Sequence, residues 1–114
     1  MQKIEKYRFG SICIERETYQ SDVIIFSDNV NSRWWRKEGH RLAVEDLRDA
    51  VAAKPEILIV GKGAYGAMTI PPETEKHLQS LGIRLIEANT KEACDLHNNL
   101  SQTNRVVTCL HLTC

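Results

Sequence analysis

The sequence predicts an α/β domain: a mixed β-sheet with a largely parallel core, helices on its faces, and antiparallel hairpin pairing at the N-terminus. Three observations carry this. The apolar runs of Asp22–Phe26 and Ile57–Val60 are continuous rather than alternating, as in strands buried on both faces. From Ile57 onward strand and helix patterns alternate, giving two consecutive strand–helix–strand units whose crossovers are right-handed. The first third reads instead as short strands separated by polar turns.

Taken in order, Ser11–Ile14 and Thr18–Tyr19 flank a turn around Glu15–Glu17. After Asp22–Phe26, the turn residues Ser27–Asn29 lead to a further expected strand from Val30 through Trp35. Val44, Leu47 and Val51 fall at helical spacing, and Lys54-Pro55 ends that helix. Pro72 fits a first helical position, with Glu73 and Glu75 at the positive end of the helix dipole. This helix carries Leu78 and Leu81 and should stop at Gly82. Ile83–Glu87 is the next strand. Thr90 is the expected cap of a helix bearing Ala93, Leu96 and Leu100, and Arg105–Thr113 is the last strand.

At 114 residues the chain fits one domain, 1–114, with no linker, repeat or low-complexity stretch. Its 42% hydrophobic and 26% charged residues are ordinary globular values, which suggest neither a disordered nor a membrane class. With 15 basic and 15 acidic residues the net charge is zero, so bulk electrostatics draws the chain to neither nucleic acid nor anionic lipid. No secretory signal pattern or spanning apolar run is visible, and the expected location is cytoplasmic. Cys13, Cys94, Cys109 and Cys114 should then be reduced thiols.

The best-marked local feature is Gly61-Lys62-Gly63-Ala64-Tyr65-Gly66, leaving the strand Ile57–Val60. Gly61, Gly63 and Gly66 match the G-x-G-x-x-G spacing by which backbone amides approach a pyrophosphate, and Glu87 ends the next strand, where a ribose carboxylate would stand. Against this, Ala67–Pro72 separates the third glycine from the helix, and Glu73 and Glu75 would repel phosphate there. The alternative is a wide turn needing positive φ and close backbone packing. Ligands favour the carboxyl ends of sheet strands, so the loop stays a candidate contact site either way.

Arg33-Trp34-Trp35-Arg36-Lys37 interleaves basic and aromatic residues. This could stack on single-stranded nucleic acid, or form a hairpin strand with one tryptophan inward and one outward; the second reading is preferred. An outward tryptophan is a plausible partner anchor. His40 beside Gly39 is a general-base candidate without a second residue to pair with, against an ordinary surface histidine. Cys109 and His111 share one face of the last strand with Cys114 beyond, but the paired knuckles of zinc sites are absent, and a small buried Cys109 in a central strand is the preferred reading. No P-loop, nucleophile elbow or H-E-x-x-H is present, so neither a catalytic set, a metal set nor a cofactor is assigned.

The segments Arg8-Phe9-Gly10, Asp22-Val23-Ile24-Ile25, Trp34-Trp35-Arg36 with Gly39-His40, Ile59–Gly63 with Gly66, Ile70-Pro71, Thr90-x-x-Ala93 and His111–Cys114 run in one order. Together they resemble the archaeal Mth nine-three-eight-like family, which includes the adipogenesis-associated Mth domain-containing protein and is related to a mitochondrial complex I assembly factor. The resemblance covers nearly the whole chain. It implies a three-layer α/β fold: a mixed five-stranded central sheet, helices packed on it, and an added N-terminal β-hairpin layer. It also implies accessory roles without catalysis in a family of unknown function. The expectation is a non-catalytic accessory or binding domain acting through contacts with a protein partner. The alternative is a small enzyme or a nucleotide-like or anionic-ligand binder using the glycine loop. The candidate surface comprises Gly61, Lys62, Gly63, Gly66, Trp35, Arg36, His40 and Thr90.

Overall fold

A computed structural model describes all residues, Met1–Cys114. At its centre runs β6 (Ile57–Lys62), whose first five residues are buried. A strand apolar on both sides needs both faces covered and parallel neighbours on each edge. It has them: β7 (Arg84–Ala88) and β8 (Val106–His111) both pair parallel with β6. Beyond β8 the sheet turns antiparallel through β4 (Val23–Ile25) and the short β5 (Val30–Asn31), giving the order β5-β4-β8-β6-β7.

Because β7 and β8 flank opposite sides of β6, their crossover helices cover opposite faces. The helix α2 (Pro72–Ser80) joins β6 to β7; α3 (Thr90–Leu100) joins β7 to β8. One core layer sets Leu42, Leu47, Met68 and Leu78 against Leu58, Val60, Val107 and Cys109. The other sets Ala93 and Cys94 of α3 against Ile57, Ile59, Val106 and Leu110. That second layer also takes Ile4, Ile12 and Ile14 from a separate antiparallel sheet, β1 (Ile4–Arg8), β2 (Ser11–Ile14) and β3 (Glu17–Tyr19). The result is the expected three-layer fold with a five-stranded mixed sheet and an N-terminal β layer.

Several local expectations need correction. The strand through Trp35 stops at Asn31, because the Asn31 side chain accepts the Arg33 N–H and the Trp34 N–H turns back to the Asp22 carbonyl. The tryptophans therefore lie on a loop, yet Trp34 points in (7% exposed) and Trp35 out (76%). The helix over Val44–Val51 is a 3-10 turn, Val44–Leu47, followed by the short α1 (Arg48–Ala52). Asn89, not Thr90, caps α3, its side chain accepting the Glu92 N–H. Within α2, Leu78 is buried whereas Leu81, beyond the last turn, is exposed.

A polar clamp joins the layers. The Asn98 amide pairs with both backbone groups of Ile4, tying α3 to β1. One residue before it, buried His97 meets the Gln2 carbonyl (2.6 Å) through Nε2 and the Thr108 hydroxyl (2.7 Å) through Nδ1. A carbonyl can only accept, so Nε2 carries the proton and Nδ1 accepts from Thr108. Burial pushes the His97 pKa below its ordinary 6.5, outweighing the favourable Gln2 bond. The folded state holds this ring neutral, so its contribution is fully present above pH 6.5 and is lost as pH falls through the folded pKa. Denaturant titrations should show stability declining below that pH, and the decline should be shallower in His97→Gln. An unchanged slope in the variant would mean that another group drives it.

Candidate functional site

The carboxyl ends of β6 and β8 meet at Lys62 and His111, which are register partners. Past them run the glycine loop and the segment Leu112–Cys114, and the two lock together. Ala64 N–H donates to the Thr113 carbonyl (3.1 Å), and Ala67 N–H to the Cys114 carbonyl (3.3 Å). Gly63 N–H donates to Thr90 Oγ1 (2.9 Å), whose own proton goes to the His111 carbonyl (2.5 Å). Thr90 N–H returns to the Gly63 carbonyl (3.0 Å). Gly66 N–H closes the turn on the Gly63 carbonyl (3.1 Å).

Two glycines explain the geometry. A Cβ on Gly61 would stand 2.7 Å from Leu110 Cδ2 and 3.0 Å from Thr90 Oγ1, so glycine lets α3 start against the sheet. Gly63 has φ +105°, and a Cβ there would stand 2.5 Å from the Thr113 carbonyl oxygen and the Cys114 carbonyl carbon. The loop is shaped around residues 113–114 of its own chain. Lys62 is also engaged: its Nζ sits 3.0 Å from Glu87 Oε1.

Beside this loop lies a buried charged cluster. Asp22, at the entry to β4, has its Oδ2 2.8 Å from both Arg36 Nη2 and His111 Nδ1. Its Oδ1 accepts the Leu112 N–H (2.8 Å). Burial raises the Asp22 pKa, but the bonds from His111, Leu112 and Arg36 outweigh it and hold the carboxyl below its ordinary value. An ionised carboxylate can only accept, so the intervening proton is on His111 Nδ1. Arg36 Nη2 is also 3.0 Å from that nitrogen, a consequence of sharing one carboxylate oxygen. Arg36 additionally donates through Nε and Nη2 to the Gly39 carbonyl and lies 4.6 Å from the centre of the Trp34 ring.

His40 joins the cluster, its ring edge-on to His111 at 5.8 Å between centroids. Its backbone carbonyl accepts the Thr69 N–H, which ties the Trp34–His40 segment to the chain leaving the glycine loop. Arg36, His40, Gly63 and Thr90 therefore converge on the end of β8, with Lys62 beside it. Trp35 lies elsewhere. It walls a groove of about 460 Å³ in which Arg33, Lys37 and Arg48 are matched by Glu45, Asp46 and Asp49. Three residues at the converged site escaped notice by position: Asp22, within an apolar run, and the aromatic pair Phe9 and Tyr65. These rings are 59% and 83% exposed, with centroids 6.3 Å apart. Cys109 is not at the site: it is fully buried in the core, and desolvation pushes its thiol pKa far up.

Residues 4–111 match the model of a family described as a protein of unknown function, DUF498/DUF598. The chain belongs to that family. Several solved structures share the whole architecture. A conserved hypothetical protein from Pyrococcus horikoshii is 29% identical, with a TM-score of 0.85 over 98% of this chain and 99% of that one. A protein named MT938 is 29% identical, with a TM-score of 0.80 and full coverage of both chains. A Bordetella pertussis protein described as a Mth938-like domain is 19% identical and matches in fold, with a TM-score of 0.79 over 97% of this chain and 85% of that one. The family expected from the ordered sequence segments is thus the family observed.

In this DUF498 member the loop geometry makes a direct prediction. Gly63→Ala combines a strained φ with collision against residues 113–114 and should cost about 1–3 kcal/mol. Gly66→Ala has open space around its Cβ and bears only the φ penalty of a residue at +68°. Chemical denaturation should therefore rank Gly63→Ala clearly below Gly66→Ala. Equal losses would contradict the role of Gly63 as a socket for residues 113–114.

Proposed function

We propose that this chain is a non-catalytic accessory domain that binds a protein partner through the face at the carboxyl ends of β6 and β8. The observation that carries the reading is the exposed Phe9–Tyr65 pair on a rigidly tied rim. Tyr65 sits within the glycine loop, and Phe9 precedes Gly10, whose N–H is bonded to the Leu112 carbonyl (2.8 Å). Large aromatic side chains on an ordered surface supply contact area at low entropic cost and dominate protein interfaces. Trp35 offers a third such side chain beside its charged groove.

The competing reading, a nucleotide-like or anionic ligand in the glycine loop, needs free backbone amides and a free cation. The amides of Gly63, Ala64 and Gly66 are bonded within the chain, and Lys62 is paired with Glu87. The groove at Trp35 sets three acidic residues opposite its three basic ones, which disfavours a nucleic-acid backbone there.

Tyr65→Ala and Trp35→Ala change exposed side chains and should leave stability within about 0.5 kcal/mol of the parent. Affinity capture from the native cell, with quantification of co-purifying proteins, should lose a partner in Tyr65→Ala. Identical partner sets for the parent and both folded variants would refute the proposal. A thermal-shift screen of nucleotides and small phosphates should be flat; a ligand at 100 times its dissociation constant would add about 2.7 kcal/mol and revive the competing reading.

A further inference from the structure

We propose that His40, His111 and Cys114 form a metal site for zinc. One ligand atom from each residue lies within 4.8 Å of the others. The three come from separate parts of the fold: the loop after Trp35, the last residue of β8, and the segment seated on the glycine loop. Two imidazoles and a thiolate are the donors that a borderline-soft, tetrahedral ion selects.

The gathering of ligands is supported by a second, independent observation. His111 has a side chain only 8% exposed, and its Nε2 has no hydrogen-bond partner. An orphaned buried nitrogen calls for an occupant. The opposite nitrogen is held by Asp22, which accepts the Nδ1 proton at 2.8 Å. That bond occupies Nδ1, leaves Nε2 for a metal, and orients the ring. A carboxylate–histidine pair of this kind is the usual outer support of a zinc ligand.

The ligand atoms of a tetrahedral zinc stand about 3.3–3.8 Å apart, given metal–ligand bonds of about 2.0–2.3 Å. His111 is fixed, whereas His40 is exposed and Cys114 half-buried. These two side chains can close the remaining distance. Three protein ligands leave a fourth tetrahedral position for water or for a donor from elsewhere.

The site is tested on the purified, untagged full chain under a non-chelating reductant. Competition against a zinc-responsive dye should find one bound zinc per chain. Cobalt(II) should give the near-ultraviolet thiolate-to-metal band and the visible bands of a tetrahedral ion. Cys114→Ser should abolish the thiolate band, while Cys13→Ser leaves it intact. His40→Ala should weaken zinc by at least about tenfold with the fold unchanged by circular dichroism. Both altered ligands lie outside the core, so these variants remain informative even if His111→Gln fails to fold. Failure of the parent chain to take up zinc would overturn the proposal, as would a thiolate band that survives in Cys114→Ser. Partner capture does not enter this test, so its outcome is independent of the accessory-domain reading.

Discussion

Asp22 is the residue on which this end of the molecule depends. Its backbone carbonyl holds Trp34, and its carboxylate holds Arg36, His111 and Leu112. One carboxylate thus joins the start of an antiparallel strand, the tryptophan loop and the end of a central parallel strand. Burying it is costly without partners, and the Arg36 side chain is only 5% exposed. Removing Asp22 would leave the Arg36 guanidinium without its counter-charge, held only by the Gly39 carbonyl and the Trp34 ring. Two hydrophobic partners of similar volume could keep the stability, but they would not orient His111 or curl the Trp34–His40 segment around Arg36.

The consequences pass outward through the loop. Arg36 lies over the Trp34 ring, and Trp34 Nε1 donates to the Asp46 carbonyl (2.9 Å). The Asp46 carboxylate in turn accepts the Lys37 and Ala43 N–H groups. A stretch with almost no regular secondary structure is therefore held by side-chain-to-backbone bonds, which meet the demand that buried polar groups be paired. This order explains how Trp35 remains exposed on a defined surface while its neighbour packs in the core.

Fold and site differed in how far the residue pattern revealed them. Ile57–Val60 and Asp22–Phe26 announced buried strands because both faces of the central sheet are covered, and Pro72 and Gly82 bracketed α2 through local backbone chemistry. The strand β1 lacks such a signal: Ile-Glu-Lys-Tyr-Arg has a single buried residue, Ile4, and gains its place from β2 and Asn98. Thr90 looked like a cap because caps are polar and precede apolar spacing. Asn89 took that role, freeing the Thr90 hydroxyl to bridge Gly63 and His111. Such a bridge spans 27 and 21 residues, and no local propensity encodes it. Asp22 was hidden for the same reason, since only the tertiary fold brings it to Arg36 and His111.

The glycine loop shows how spacing and chemistry separate. A pyrophosphate loop works because its glycines leave N–H groups unpaired and facing a ligand at a helix start. Here the helix that follows in the chain starts only at Pro72, well beyond Gly66, so the loop does not open it. Its amides instead satisfy the carbonyls of Thr113 and Cys114, and Gly63 supplies the space for them. The same glycine spacing thus serves another end, anchoring the chain beyond β8 and holding Cys114 near His111. What lies open to an incoming molecule is not the backbone of the loop but the side chains around it: the rings of Phe9 and Tyr65 and the imidazole of His40. A surface of that composition suits the partner and the ion proposed above, for which neither the acidic first turn of α2 nor the pairing of Lys62 with Glu87 is an obstacle.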